Sequence, residues 1–167
     1  LSNIAVGELV EVLTATKTAA DTTYTAGGVK TFVISLVNSS AAALTGLTVT
    51  DTLGSYTFSG NTLYPLTYVT GSLLYYVNGA LQATPTVTAA APLTVTGVTV
   101  PAGGSAMLIY TASVNEYAPL GVEDSITNTA AITGGGLTSS VTATETINAS
   151  AAPQLAISKS ISPTMVA

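Results

Sequence analysis

The sequence predicts an all-β sandwich. Three observations predict it: apolar residues alternate with polar ones at period two in short segments, 15 Gly and 7 Pro punctuate those segments, and Thr and Val are abundant throughout. No stretch carries apolar residues at i, i+3 and i+4 between capping residues, so helices are limited to single turns. With 167 residues and 47% hydrophobic content the chain can bury one ordinary core, and one main domain is expected.

Composition then narrows the function class. Charged residues make up 7% of the chain, which leaves Thr, Ser, Asn and Ala to cover the surface, as on secreted scaffolds. A net charge of −5 with only three basic residues gives no basic footprint for nucleic acid or anionic lipid. Cysteine and histidine are both absent, which removes disulfides, thiolate metal sites, thiol nucleophiles and the commonest general base. No apolar run reaches about eighteen residues, so direct membrane insertion is not expected. The start lacks a charged, then apolar, leader pattern, and the chain reads as a mature or excised segment.

The strands follow in order. Glu11 to Lys17 alternates loosely before a Gly-Gly turn at Gly27 and Gly28. Val29 to Asn38 places Lys30, Phe32, Ile34, Leu36 and Asn38 on one face, and the Phe/Ile/Leu stripe marks that face as the core side. Leu44 to Leu53 sets Leu47, Val49, Asp51 and Leu53 together, with an acid on the apolar side. Gly54 to Gly71 is Tyr-rich and reads as irregular. Ser72 to Ala83 contains Asn78-Gly79, the favoured pair for a type I′ hairpin. Leu93 to Val100 and Ser105 to Val114 flank the turn at Pro101 to Gly104, and two apolar faces on the second suggest a central strand. Ser125 to Thr133 groups Ile126, Asn128, Ala130 and Ile132, and Leu137 to Ile147 completes the set after a Gly-rich turn. Regular short strands and turns of this kind suit an immunoglobulin-like sandwich with Greek-key connections.

The closing segment LAISKSISPTMVA repeats the opening pattern at Leu13: a Leu, a Lys four residues on, then a Ser/Thr-rich turn. Residues 1–9 are expected to be a linker or the end of a preceding repeat, 10–148 the domain, 149–154 a linker, and 155–167 a further strand. That strand either opens the next of several tandem domains or is donated to a neighbouring subunit, with Leu155, Ile157 and Ile161 as its apolar contact residues. Because the domain already has a strand around Lys17, no vacancy awaits a donor, which favours the tandem arrangement.

Five segments in order, TAGGVKTFVISLVN, LTGLTVTDTLG, VTVPAGGSAMLIYTASVN, SITNTAAIT and the closing LAISKSISPTMVA, resemble the bacterial and archaeal surface-repeat family known as domain of unknown function eleven. The resemblance spans roughly residues 10 to 148 and the final strand. It implies an immunoglobulin-like domain arranged in tandem in long secreted or wall-attached proteins, a stalk, fibre or scaffold role, and no catalytic site. The Tyr-rich stretch from Tyr56 to Tyr76 departs from that pattern.

Lys17, Asp51 and Asn128 each lie on the core-facing side of a strand by parity. An unpaired polar group there costs a few kcal/mol, so three on apolar faces invite the reading that they meet. An amine, an amide and an acid in a dry core can form an intramolecular isopeptide bond: the neutral lysine attacks the asparagine amide while the protonated acid polarises the carbonyl and moves protons. The set resembles the Lys, Asp or Glu, and Asn sets of pilin and collagen-adhesin domains, where such a bond supplies the clamp that cysteine-free fibres lack. Lys30 competes as nucleophile, since it shares a face with Phe32, and Lys159 would take the Lys17 role in a following repeat. The plainer alternative has Lys17 snorkelling to the rim, Asp51 capping a turn through Thr50 or Thr52, and Asn128 bonding backbone at a sheet edge.

Other sites are weaker. Glu116, Glu123 and Asp124 lack Asp-x-Asp spacing and read as a solvated loop rather than a calcium site. Asn38-Ser39-Ser40 matches a glycosylation sequon. No cofactor is implied, and the serines lack the partners of a hydrolase. The expected function is a non-enzymatic, extracellular structural repeat of a stalk, fibre or filament, whose partners are neighbouring copies. The alternative is an adhesin that binds a glycan or matrix protein through Tyr75, Tyr76 and their neighbours, including Tyr64 and Tyr68.

Overall fold

The computed structural model describes residues 12–150. They form fourteen strands and, among the described residues, no helix. The first sheet is built from β1 (Leu13–Ala19), β3 (Val29–Asn38), β12 (Ser105–Val114), β8 (Leu74–Val77) and β9 (Ala80–Gln82) in that order, with β7 (Leu66–Tyr68) also paired to β12. The second runs β10 (Thr86–Ala90), β11 (Leu93–Val100), β4 (Leu44–Asp51), β13 (Ser125–Gly134), β14 (Val141–Ala149) and β2 (Thr23–Tyr24). A separate two-stranded ribbon joins β5 (Tyr56–Phe58) to β6 (Asn61–Leu63).

The two sheets pack face to face as an immunoglobulin-like sandwich. Strands consecutive in sequence, β3 and β4 for example, lie in opposite sheets, as Greek-key connections require. Period-two alternation does the packing. In β3 the residues Lys30, Phe32, Ile34, Leu36 and Asn38 are all buried, and in β12 the buried set is Ala106, Leu108, Tyr110, Ala112 and Val114. From the second sheet Leu47, Val49, Val95, Val98, Ile126, Ala130, Ile132 and Ile147 close the core.

The predicted strands over 29–38, 93–100 and 105–114 coincide with β3, β11 and β12. The β12 strand is central, paired on one side to β3 and on the other to β7 and β8. Asn78 and Gly79 sit at φ 49° and 81°, as a type I′ turn demands, and join β8 to β9. Two expectations need correction. The Tyr-rich stretch 54–71 is not irregular, since it holds β5, β6 and β7, with Ser59 and Gly60 at positive φ making the β5–β6 turn. Thr86–Ala90 is an edge strand, β10, that its short Thr/Ala pattern did not announce.

At the far end β14 continues through Ala149, and Ser150 donates its N–H to the Tyr24 carbonyl at 2.9 Å. The segment 155–167, with Leu155, Ile157, Lys159 and Ile161, lies outside the described residues.

Candidate functional site

Lys17, Asp51 and Asn128 converge in the core. They are 4%, 1% and 0% exposed. The register explains why they come together. In the first sheet Lys17 stands opposite Ile34 and Tyr110 opposite Phe32, so β1 and β12 flank β3 and send Lys17 and Tyr110 to the same side. In the second sheet Asp51 stands opposite Ala130, which places Asn128 two residues along on the same face of the adjoining strand. The meeting point is therefore the interface between the sheets.

Lys17 Nζ makes a short, fully buried ion pair with Asp51 Oδ2 and lies 3.3 Å from the Tyr110 hydroxyl. Tyr110 donates to Asp51 Oδ2 at 2.7 Å and accepts from Asn128 Nδ2 at 2.9 Å. Asp51 Oδ1 is occupied by the backbone N–H of Leu53 at 2.9 Å. The Thr52 hydroxyl reaches Asn128 Oδ1 at 3.5 Å and accepts from the Thr129 N–H at 3.1 Å. Rings wall the site: Phe32 stacks on Tyr110 with centroids 5.5 Å apart, Tyr68 meets Tyr110 edge-on at 6.2 Å, and Lys17 Nζ lies 5.1 Å from the Phe32 centroid.

Burial acts on the two titratable partners in opposite directions. It holds the Lys17 ammonium below its ordinary value and outweighs the pull of Asp51, while Glu145 adds a weaker attraction. It pushes the Tyr110 phenol well above its usual range, with the Asp51 charge acting the same way. A lysine that gives up its proton more easily and a phenol that keeps its own suit nucleophilic attack in a dry pocket.

The plainer sequence alternative holds in part. Asp51 does cap a turn, through the Leu53 N–H rather than a Thr hydroxyl, but Lys17 does not snorkel to the rim, and the Asn128 amide nitrogen goes to a phenol rather than to backbone. Lys30 is also buried, but it points elsewhere, donating to the Thr23 carbonyl with Asp21 at 3.2 Å. Sequence reasoning missed Tyr110. It shares parity with Leu108 on a central strand, and a tyrosine on a buried face needs a partner for its hydroxyl, which was the available signal.

Tyr75 is buried rather than presented to a ligand: its hydroxyl donates to the Thr99 carbonyl at 2.8 Å and accepts from the Thr99 N–H at 2.9 Å. Tyr68 is buried, Tyr76 and Tyr64 half-buried. Asn38 is fully buried, so its sequon is closed to a glycosyl group in the folded state. Glu116, Glu123 and Asp124 are exposed, with Asp124 accepting the Gly121 N–H. No cluster of three potential metal-binding side chains occurs among the described residues, nor any helix long and apolar enough to cross a membrane.

No family model and no curated protein matches the chain. Several solved structures share its fold. The N-terminal domain of the Streptococcus gordonii adhesin Sgo0707 matches with a TM-score of 0.59 and 12% identity, over 82% of this chain and 32% of that one. The pilus backbone RrgB from Streptococcus pneumoniae matches at 0.56 and 13%, over 72% and 31%. BcpA, the major pilin subunit of Bacillus cereus, matches at 0.54 and 18%, over 82% and 39%. The chain thus spans well under half the length of each. At these identities the likeness is one of fold, and it extends to a glycoside hydrolase as well.

Proposed function

We propose that the chain is a structural domain of an extracellular stalk, fibre or filament, locked by an isopeptide bond between Lys17 and Asn128, with Asp51 as its proton carrier. The observation that carries this reading is a buried amine, acid and amide gathered on one phenol between the two sheets, in a chain without cysteine. Lys17 supplies the nucleophile and Asn128 the carbonyl carbon. Asp51 takes the first lysine proton, and the products are a secondary amide and ammonia. The bond would tie β1 in one sheet to β13 in the other, bracing the sandwich against separation of its layers.

The pilin and adhesin folds of the structural neighbours support the fibre role and an extracellular site, with copies of the same domain as partners. Membership of the surface-repeat family and the tandem arrangement, with 155–167 beginning a further repeat, belong to the same reading. The non-enzymatic character follows from it: the chemistry consumes the chain's own side chains once.

Intact mass of the folded, full chain tests the bond, with Lys17→Ala and Asn128→Ala as controls. A deficit of one ammonia in the parent, absent from both controls, is expected. A mass equal to the sequence would overturn the bond. A deficit of one water would place the link on Asp51, the group in direct contact with the Lys17 amine.

A further inference from the structure

The reaction needs a proton at a place Asp51 does not touch. Among the described residues, Asp51 Oδ2 bonds Lys17 and Tyr110, its Oδ1 bonds Leu53, and neither oxygen bonds Asn128. The nitrogen that must leave as ammonia, Asn128 Nδ2, bonds the Tyr110 hydroxyl instead. Tyr110 is therefore the hydrogen-bonded link between the acid and the leaving group.

We propose that Tyr110 is a catalytic member of the site, a relay whose hydroxyl hands a proton to the departing Asn128 nitrogen and is refilled from Asp51. The proposal rests on the isopeptide reading above. A phenol suits the task because one O–H can donate while its oxygen accepts. In the resting site it donates to Asp51 and accepts from the planar amide, whose nitrogen offers no lone pair. Attack on the carbonyl makes that nitrogen pyramidal and basic, and the direction of the Tyr110 to Asn128 hydrogen bond reverses.

The protons balance. Lys17 first passes one proton to Asp51 and becomes a neutral amine. Its nitrogen attacks Asn128 Cγ, forming the new C–N bond, while the Thr52 hydroxyl faces the oxygen on which charge develops. Asp51 then gives its proton to Tyr110 as Tyr110 gives its own to Nδ2, and the Cγ–Nδ2 bond breaks to release ammonia. The Lys17 nitrogen returns a second proton to Asp51, which ends neutral beside a secondary amide, and Tyr110 ends unchanged. The stack on Phe32 and the edge contact with Tyr68 fix the ring, and burial keeps the phenol protonated throughout.

The test follows ammonia loss by intact mass through a chase after brief cell-free synthesis of the full chain. Tyr110→Phe keeps the ring and deletes the relay; its bond formation is expected to slow by about a hundredfold or more, the scale of general acid–base catalysis. A second variant carries 3,5-difluorotyrosine at position 110 alone, which changes phenol acidity at nearly constant shape. Its rate and pH profile are expected to shift from the parent's, whereas a tyrosine that merely packs would leave both unmoved. Parent-like rates and profiles in the fluorinated chain, or parent-like rates in Tyr110→Phe, overturn the relay while leaving the crosslink intact. A parent that never loses ammonia overturns the crosslink itself, and the relay with it.

Discussion

Asp51 is held from behind by Leu53, whose backbone N–H meets Oδ1 at 2.9 Å and leaves Oδ2 facing Lys17 and Tyr110. Leu53 itself is wholly buried and sits at φ 54°, and Gly54 follows at φ 74°. The end of β4 is thus folded back on its last acid. Removing the carboxylate as Asp51→Ala strands a buried lysine: in the Asn128→Ala background, where no bond can form, we expect a loss of about 3–5 kcal/mol, and in the otherwise parental chain no ammonia loss. Chemical denaturation and intact mass check the two effects separately; an unchanged midpoint would deny that the pair is buried as described.

The same turn is sensitive to size. A Cβ on Gly54 would collide with Ile126 Cγ2 and lie 3.2 Å from Pro65 Cγ, at a backbone angle that side chains disfavour. Gly54→Ala should cost about 1–3 kcal/mol, and it should slow bond formation by displacing Asp51. Gly71→Ala, at a similar φ with open space around it, separates backbone strain from collision: equal losses in the two variants would show that Ile126 gives way.

Lys17 makes stability depend on pH in a chain that cannot crosslink. Its folded pKa lies below the ordinary 10.5, so between the two values the unfolded state binds more protons and stability rises with pH. Tyr110 acts oppositely, because its raised folded value makes stability fall as pH climbs beyond about 10. In Asn128→Ala we therefore expect the urea midpoint to climb over the interval below pH 10.5 in which only the unfolded chain keeps the Lys17 proton, and Lys17→Met added to that background should flatten the climb. Parallel curves for the two proteins would count against a strained Lys17 charge.

Among the described residues Asn38 is the other fully buried side-chain amide, and its role is structural. Its Nδ2 serves the carbonyls of Ala42, Val100 and Pro101 at 2.9–3.1 Å, and its Oδ1 accepts from the Ser40 N–H and hydroxyl at 3.0 and 2.7 Å. It ties the end of β3 to the β11–β12 turn. Asn38→Ala should cost about 1–3 kcal/mol for the groups it orphans, with ammonia loss unaffected; a thermal melt and a mass spectrum suffice.

The adhesin reading is tested by separating Tyr75 from Tyr76. Tyr75→Phe should lower stability by about 1–3 kcal/mol, since it deprives the Thr99 N–H and carbonyl of their partner. Tyr76→Ala should remove any glycan or matrix-protein binding that uses this sheet face. Binding on a glycan array that survives Tyr76→Ala would exclude Tyr76 as its contact residue.

Much of the fold was legible because alternation fixes which side of a strand a residue takes. Parity alone placed Lys17, Asp51 and Asn128 inward, and Asn78-Gly79 announced its own turn. Depth was not legible in the same way. Lys17 and Lys30 share inward parity, yet only Lys17 points into the layer between the sheets, because Asp21 and the Thr23 carbonyl draw Lys30 aside. Adjacent Tyr75 and Tyr76 must face opposite ways, and nothing local says which faces in. Tyr110 was hidden by its setting: β12 is apolar on both faces, so its tyrosine passed for another hydrophobe.

The four groups of the site come from β1, β4, β12 and β13, so no single sheet contains them all and the chain from β1 through β13 must fold before they meet. Long-range pairings of this kind form late in folding. A bond between Lys17 and Asn128 would consequently act as a timestamp: a chain that has lost ammonia has, at least once, closed both layers in register. Misfolded and unfinished chains would stay one ammonia heavier, and the mass spectrum of a mixed population would read out the fraction that had ever been native.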